Sequence, residues 1–171
     1  MKKDNTKVTS KGSALTLVGE AVKPGDKAPD FKLLDKTLTT RTLADYEGKI
    51  KVLAVYPSID TGICAAQNRK FNELATKMSA DVVVLSVSCD LPFAQSRFCA
   101  AEGLDNVVTL SDHKETDFGL KYGFLIEELR LLARGTVIIG KDNEVKYVEF
   151  VPEIATEPDY DATMQALSKL V

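Results

Sequence analysis

Apolar residues in this chain fall into short dense runs, separated by stretches in which they recur every three or four positions. "KIKVLAVYP", closed by Pro57, is a nearly continuous apolar run and predicts a central strand buried on both faces. From Gly62 to about Met78, Ile63, Ala66, Phe71, Leu74 and Met78 lie close to helical spacing, with Thr61 just ahead of them as an N-cap. "DVVVLSVS" predicts a second buried strand. Asp90 is then placed to cap a helix through "LPFAQSRFCAAEGL", in which Ala94, Phe98 and Ala101 share a face and Gly103 supplies the stop. "NVVTL", "GTVIIG" and "EVKYVEFV" read as further strands, and the "KDN" turn joins the last two into an antiparallel hairpin. The closing segment opens with Asp159 and spaces Tyr160, Met164, Leu167 and Val171 by four, three and four, which predicts a C-terminal helix. At the other end, "SKG" between "KVT" and "ALTLVG" predicts a hairpin over about residues 1–19, decorating the core and followed by the breaker-rich loop "KPGDKAPD".

No internal repeat, low-complexity tract or linker interrupts this order, so residues 1–171 are read as one domain. Parallel crossovers come early and a hairpin comes late. The expected fold class is therefore α/β: a thioredoxin-like layer sandwich with an N-terminal β-hairpin extension.

Composition narrows the function. Of 171 residues, 44% are hydrophobic and 27% charged, enough apolar material for one core. A net charge of −3 leaves no basic footprint for nucleic acid or an anionic membrane, so neither is expected as a partner. The polar start "MKKDNTKVTSKGS" does not read as a signal peptide, no run is long enough to span a membrane, and a cytoplasmic location is expected. Three cysteines, Cys64, Cys89 and Cys99, are too few for a secreted disulfide scaffold. In a reducing compartment they point to redox or nucleophilic use.

Cys64 closes "PSIDTGIC", at the junction between strand and helix. With Thr61 as N-cap it falls in the first helical turn, where unpaired N–H groups and the positive end of the helix dipole favour a thiolate. An unperturbed cysteine is only about 3% thiolate at pH 7, and making one about 90% thiolate takes roughly 3 kcal/mol. A helix terminus supplies about 0.3–1 kcal/mol when exposed and about 2 when partly buried, so a cation is needed as well. Arg134, directly before the "GTVIIG" strand, is the natural candidate, with Arg130 competing. The chain has no Cys-x-x-Cys, so any partner thiol comes from another element: Cys99 on the next helix, or Cys89 at the end of the intervening strand. A strand-end cysteine is ordinarily structural, and Cys89 is read so.

"PSIDTGICAAQ" and "CDLPFAQSRFCAAEGL" together resemble the thiol peroxidase branch of the peroxiredoxins, the atypical 2-Cys type, from about Lys11 to the C-terminus. Pro57, Thr61 and Cys64 meet the family pattern Pro-x-x-x-Thr-x-x-Cys, and Arg134 in "LLARG" matches the family arginine. The resemblance implies that Cys64 is the peroxidatic cysteine and Cys99 the resolving one, joined in an intramolecular disulfide that thioredoxin reduces. It implies hydrogen peroxide and organic hydroperoxides as substrates and a homodimer; no cofactor is expected, and three scattered cysteines with one histidine lack the paired-ligand spacing of a metal site. Apolar Phe93, Leu129 and Leu132 are expected around the site, and "YGFLIEELRLLARG" is expected to supply the dimer face. Gly135 stands where alanine is expected in relatives, a departure that should loosen the start of the strand.

Two rival classes make different demands. A cysteine hydrolase needs a base, and the one histidine, His113, lies in a polar connection where it reads as a surface residue. A thioredoxin-like binding module with incidental cysteines predicts an ordinary thiol at Cys64.

Overall fold

The computed structural model describes residues 1–171. In chain order the strands are β1 (Lys3–Ser10), β2 (Ser13–Val18), β3 (Leu33–Leu34), β4 (Thr40–Arg41), β5 (Ile50–Val55), β6 (Val82–Ser88), β7 (Val108–Ser111), β8 (Leu125–Ile126), β9 (Leu131–Leu132), β10 (Gly135–Ile139) and β11 (Val145–Phe150). The helices are α1 (Gly62–Ala75), α2 (Pro92–Glu102), α3 (Asp117–Tyr122) and α4 (Tyr160–Ser168), with a 3₁₀ turn at Leu43–Tyr46. A seven-stranded sheet runs β11-β10-β5-β6-β7-β3-β4 and a four-stranded sheet runs β1-β2-β8-β9. β5, β6 and β7 are parallel, whereas β10 meets β5 and β11 antiparallel. This is the thioredoxin-like layer order expected from the sequence.

Central strand β5 is buried along its whole length because its two faces supply two cores. Leu53 and Val55 join a large cluster with Phe118 and Tyr122 of α3. Val52 and Ala54 join Phe71 of α1 and Leu167 of α4 on the other side. No helix is long and apolar enough to cross a membrane.

The hairpin forms as expected, with Lys11 and Gly12 at positive φ in its turn. It does more than decorate the core. Val8, Leu15 and Leu17 are buried in the large cluster, and β2 pairs antiparallel with β8, Leu17 opposite Ile126. Three buried aliphatic side chains, at roughly 1.5–3 kcal/mol each, make the hairpin a substantial part of that core.

Several local expectations change. α1 stops at Ala75 rather than Met78, and it buries Cys64, Ala65, Gln67, Asn68, Phe71 and Leu74, while Ile63 and Ala66 are half-buried. Two amides therefore lie on the inward face, where hydrogen bonds replace apolar contact. Asp90 does not cap α2. The N-cap is Leu91, Pro92 opens the helix, and Gly103 ends it at φ 68° as expected. Ala101 faces solvent. Gly135 tightens the start of β10 rather than loosening it, because a β-carbon there would collide with the Glu149 carbonyl and the Phe124 ring.

Candidate active site

β5 delivers the chain to Tyr56 and Pro57, both buried, and the loop Ser58–Thr61 turns it into α1. Thr61 is the N-cap: its hydroxyl oxygen accepts from the Cys64 N–H at 3.3 Å while its O–H faces the Ser58 carbonyl, also at 3.3 Å. The Cys64 side chain is fully buried among Tyr56 and Ile59, with Ala94 and Phe98 of α2 against them. Two donors reach its sulfur. The Arg134 guanidinium donates from Nη2 at 3.3 Å, and the Ser58 N–H lies at 3.5 Å.

Arg134 is only 2% exposed and is held on three sides. Nε donates to the Ile154 carbonyl at 2.9 Å, Nη1 to Gln67 Oε1 at 2.7 Å, and Nη2 to Cys64. A buried cation is costly unless paired and fully hydrogen-bonded, and the acceptors here fix the plane of the guanidinium with one edge on the sulfur. Arg130 is exposed, on the turn between β8 and β9, and makes no such contact. Between the two candidates the geometry selects Arg134.

Gln67 and Asn68 were missed by sequence reasoning. Gln67 Nε2 donates to the Val55 carbonyl at 3.2 Å, which turns Oε1 toward Arg134. Asn68 donates to the Cys64 carbonyl at 2.9 Å and accepts from Ser86 Oγ at 2.5 Å, with Tyr56 Oη 3.0 Å from that oxygen. The available signal was two adjacent amides one and two positions past the predicted apolar face. Asp90, expected as a helix cap, clamps the Cys64 loop: it accepts from Ile59 N at 2.7 Å, Ser58 Oγ at 3.0 Å and Ser88 Oγ at 2.6 Å.

Cys99 lies on α2, half-buried against the cluster beneath the sheet, and burial raises its thiol above the ordinary range. It is a free thiol, as is Cys64, and Phe98 touches both of their clusters. A cavity of about 610 Å³ opens beside Cys99, lined also by Lys36, Tyr46, Asp105 and Val107. Burial, with Asp112 and Asp90 nearby, pushes the Cys89 thiol up to about 12. Cys89 shares a smaller cavity with His113 and Arg130, and His113 is exposed, so the one histidine is not beside Cys64. Of the apolar side chains expected around the site, Leu132 is in the large core and Phe93 and Leu129 are exposed. Leu125, Ile126 and Leu132 of "YGFLIEELRLLARG" are likewise consumed by the chain's own core.

Fold and site together define a thioredoxin-fold protein with a single cysteine at a helix N-terminus, bonded to a buried arginine. The Redoxin family profile matches residues 23–164. A protein named thiol peroxidase from Oceanobacillus iheyensis is 51% identical over 95% of this chain and 98% of its own length. A second, from Bacillus subtilis, is 49% identical over 96% and 98%. Among solved structures, a peroxiredoxin-like protein from Aquifex aeolicus superposes with a TM-score of 0.91 at 38% identity, covering 100% of both chains. The chain belongs to the Redoxin family and, within it, to the thiol peroxidase branch of the peroxiredoxins.

Proposed function

We propose that Cys64 is the peroxidatic nucleophile of a thioredoxin-dependent hydroperoxide reductase and that Cys99 resolves it. Thiol-dependent peroxide reduction is the activity of the branch to which the chain belongs. The observation that carries the residue assignment is the 3.3 Å contact between Arg134 Nη2 and Cys64 Sγ, at the first turn of α1 and away from solvent.

The Cys64 thiolate attacks the distal oxygen of the hydroperoxide. The O–O bond breaks, sulfur keeps the hydroxyl as a sulfenic acid, and the departing alkoxide takes a proton to leave as alcohol or water. Arg134 and the Ser58 N–H already point at the sulfur, so they stabilise charge on the reacting atoms without rearranging. The Thr61 hydroxyl joins them by exchanging its Ser58 carbonyl for a peroxide oxygen. Pro57, buried and lacking an N–H, shapes the wall behind the sulfur. The Cys99 thiol then condenses with the sulfenic acid, giving a disulfide and water. A thioredoxin dithiol reduces that disulfide by exchange. No step calls on a metal or cofactor.

The test is peroxide consumption coupled to thioredoxin, thioredoxin reductase and NADPH. Cys64→Ser and Cys99→Ser are expected to abolish turnover and Cys89→Ser to retain it. Turnover by Cys64→Ser, or none by the wild type with either hydrogen peroxide or cumene hydroperoxide, overturns the assignment. Three free thiols suit a reducing cytoplasm. A homodimer is part of the reading, favoured by the exposed apolar side chains Leu91, Phe93 and Leu129, and sedimentation equilibrium checks it.

A further inference from the structure

The Arg134 guanidinium is aimed by three acceptors, and they are not equally well fixed. Gln67 is on α1 and braced by β5, and Cys64 is held by the start of the same helix. The third, the Ile154 carbonyl, belongs to the irregular segment that follows β11, so no ladder of the main sheet positions it.

Val151 N–H donates to the Arg134 carbonyl at 2.9 Å and the Ile154 side chain packs against the large cluster, while at Pro152 and Ile154 the backbone partner is the N-terminal hairpin. Thr9 of β1 donates its N–H to the Pro152 carbonyl at 2.7 Å and accepts from the Ile154 N–H at 3.0 Å, bracketing Glu153. The Glu153 carboxylate reaches across to the hairpin turn. Oε1 accepts from Lys11 N at 2.9 Å and from Ala155 N at 3.3 Å. Oε2 accepts from Thr9 Oγ1 at 2.8 Å and from Gly12 N at 3.2 Å. Lys11 and Gly12 both have positive φ, 49° and 82°, and this turn geometry lets two successive N–H groups converge on one anion. The Lys11 N–H, then the Thr9 hydroxyl, hold the carboxyl at about 2, so it is charged wherever the protein works.

We propose that Glu153 is a positioning residue for the peroxide step: it latches the hairpin to the 152–155 segment and so fixes the carbonyl that aims Arg134 at Cys64. The inference rests on the roles of Cys64 and Arg134 proposed above. Its content is that residues 9–12, remote from Cys64 in sequence, tune the reactivity of that sulfur. Without the latch the Ile154 carbonyl drifts, Nε loses its acceptor, and the guanidinium turns away from the sulfur. A hairpin that only adds stability would leave the chemistry of Cys64 untouched in the folded protein.

The experiment uses the full chain carrying Cys99→Ser, so that only the first step is read, and follows oxidation of Cys64 by hydrogen peroxide through rapid quench and mass spectrometry. Glu153→Gln keeps size and shape but turns an amide N–H₂ toward N–H donors. It is expected to slow the step by about tenfold, the scale of one charge-assisted hydrogen bond. Thr9→Val, which loses one hydroxyl, should slow it by about threefold. In both variants the pH profile of Cys64 alkylation by iodoacetamide should move to higher pH, and Glu153→Asp should restore part of the rate. An Arg134→Gln control separates the two layers of inference. If Arg134→Gln is slow while Glu153→Gln keeps the wild-type rate and alkylation profile, the latch is overturned and the site assignment stands. If Arg134→Gln reacts like the wild type, the site assignment falls and the latch with it.

Discussion

Gln67 shows how a residue can matter without touching substrate. Fully buried, it donates to the Val55 carbonyl and accepts from Arg134, so Gln67→Leu leaves two polar groups without partners in the interior. The expected cost is about 2–4 kcal/mol in urea unfolding, together with a peroxide step slowed by about tenfold or more. An unchanged rate in folded Gln67→Leu would remove it from the site. Asp112 is a second buried acceptor with a measurable signature. Its carboxylate takes the Phe118 and Gly119 N–H groups at 3.0 and 2.8 Å and so caps α3, but burial outweighs those bonds and raises it to about 6. A carboxyl raised in the folded state binds its proton more tightly there than in the unfolded chain, so its contribution is complete below about pH 4 and is lost as pH rises through 6. Relative to Asp112→Asn, the wild type should lose on the order of 3 kcal/mol of unfolding free energy between pH 4 and pH 7. A flat difference refutes the shift. At this scale Cys64, Thr61, Pro57 and Arg134 were legible because each stands in a local pattern with a mechanism. Gln67, Asn68 and Glu153 were not, because their roles depend on partners 12 to 144 positions away.

Among elements, β5, β6, α1, β10, β11 and α4 announce themselves by long apolar runs or by caps such as Asp159, which accepts from Ala162 N at 2.9 Å. β3, β4, β8 and β9 have two residues each and exist only because a neighbouring strand offers them a ladder, so no periodicity marks them. α2 is the element whose reading changed most. It buries only Pro92 and Gln95, and Gln95 is inward to bond Ser88 Oγ and the Leu110 carbonyl rather than to pack. The apolar stripe drawn from Ala94, Phe98 and Ala101 is thin for the same reason: the helix rests lightly on the core. Asp90, just ahead of it, ties the Cys64 loop to the end of β6 through Ile59, Ser58 and Ser88. Asp90→Ala frees that loop and should lower stability by about 2 kcal/mol, the loss of charge-assisted bonds, and slow oxidation of Cys64. Full reactivity with lowered stability would confine Asp90 to a structural role.

For the whole molecule, the proposed Cys64–Cys99 disulfide requires that two sulfurs from different clusters meet. Cys64 packs with Tyr56 and Ile59, and Cys99 against the cluster that contains Phe71 and Leu167. A disulfide needs Cα atoms within about 7 Å and a dihedral near ±90°, and with the two thiols packed in separate clusters we expect its formation to displace at least one cysteine. The energetics choose which. α1 is locked by Gln67, Asn68, Phe71 and Leu74, all buried, beyond its first turn, whereas α2 has two buried residues to release. Local opening draws on the least-packed elements first, so α2 and the first turn of α1 give way while the sheet stays. Hydrogen exchange should therefore find α2 amides less protected than those of α1 from Gln67 onward in the reduced protein. On oxidation by one equivalent of peroxide, protection should fall across Phe93 to Cys99 and around Gly62 to Cys64, with β5, β6 and β10 unchanged. Equal protection of α2 in both redox states would mean that the sulfurs meet without unwinding, and the sequence of events proposed for Cys99 would have to be abandoned.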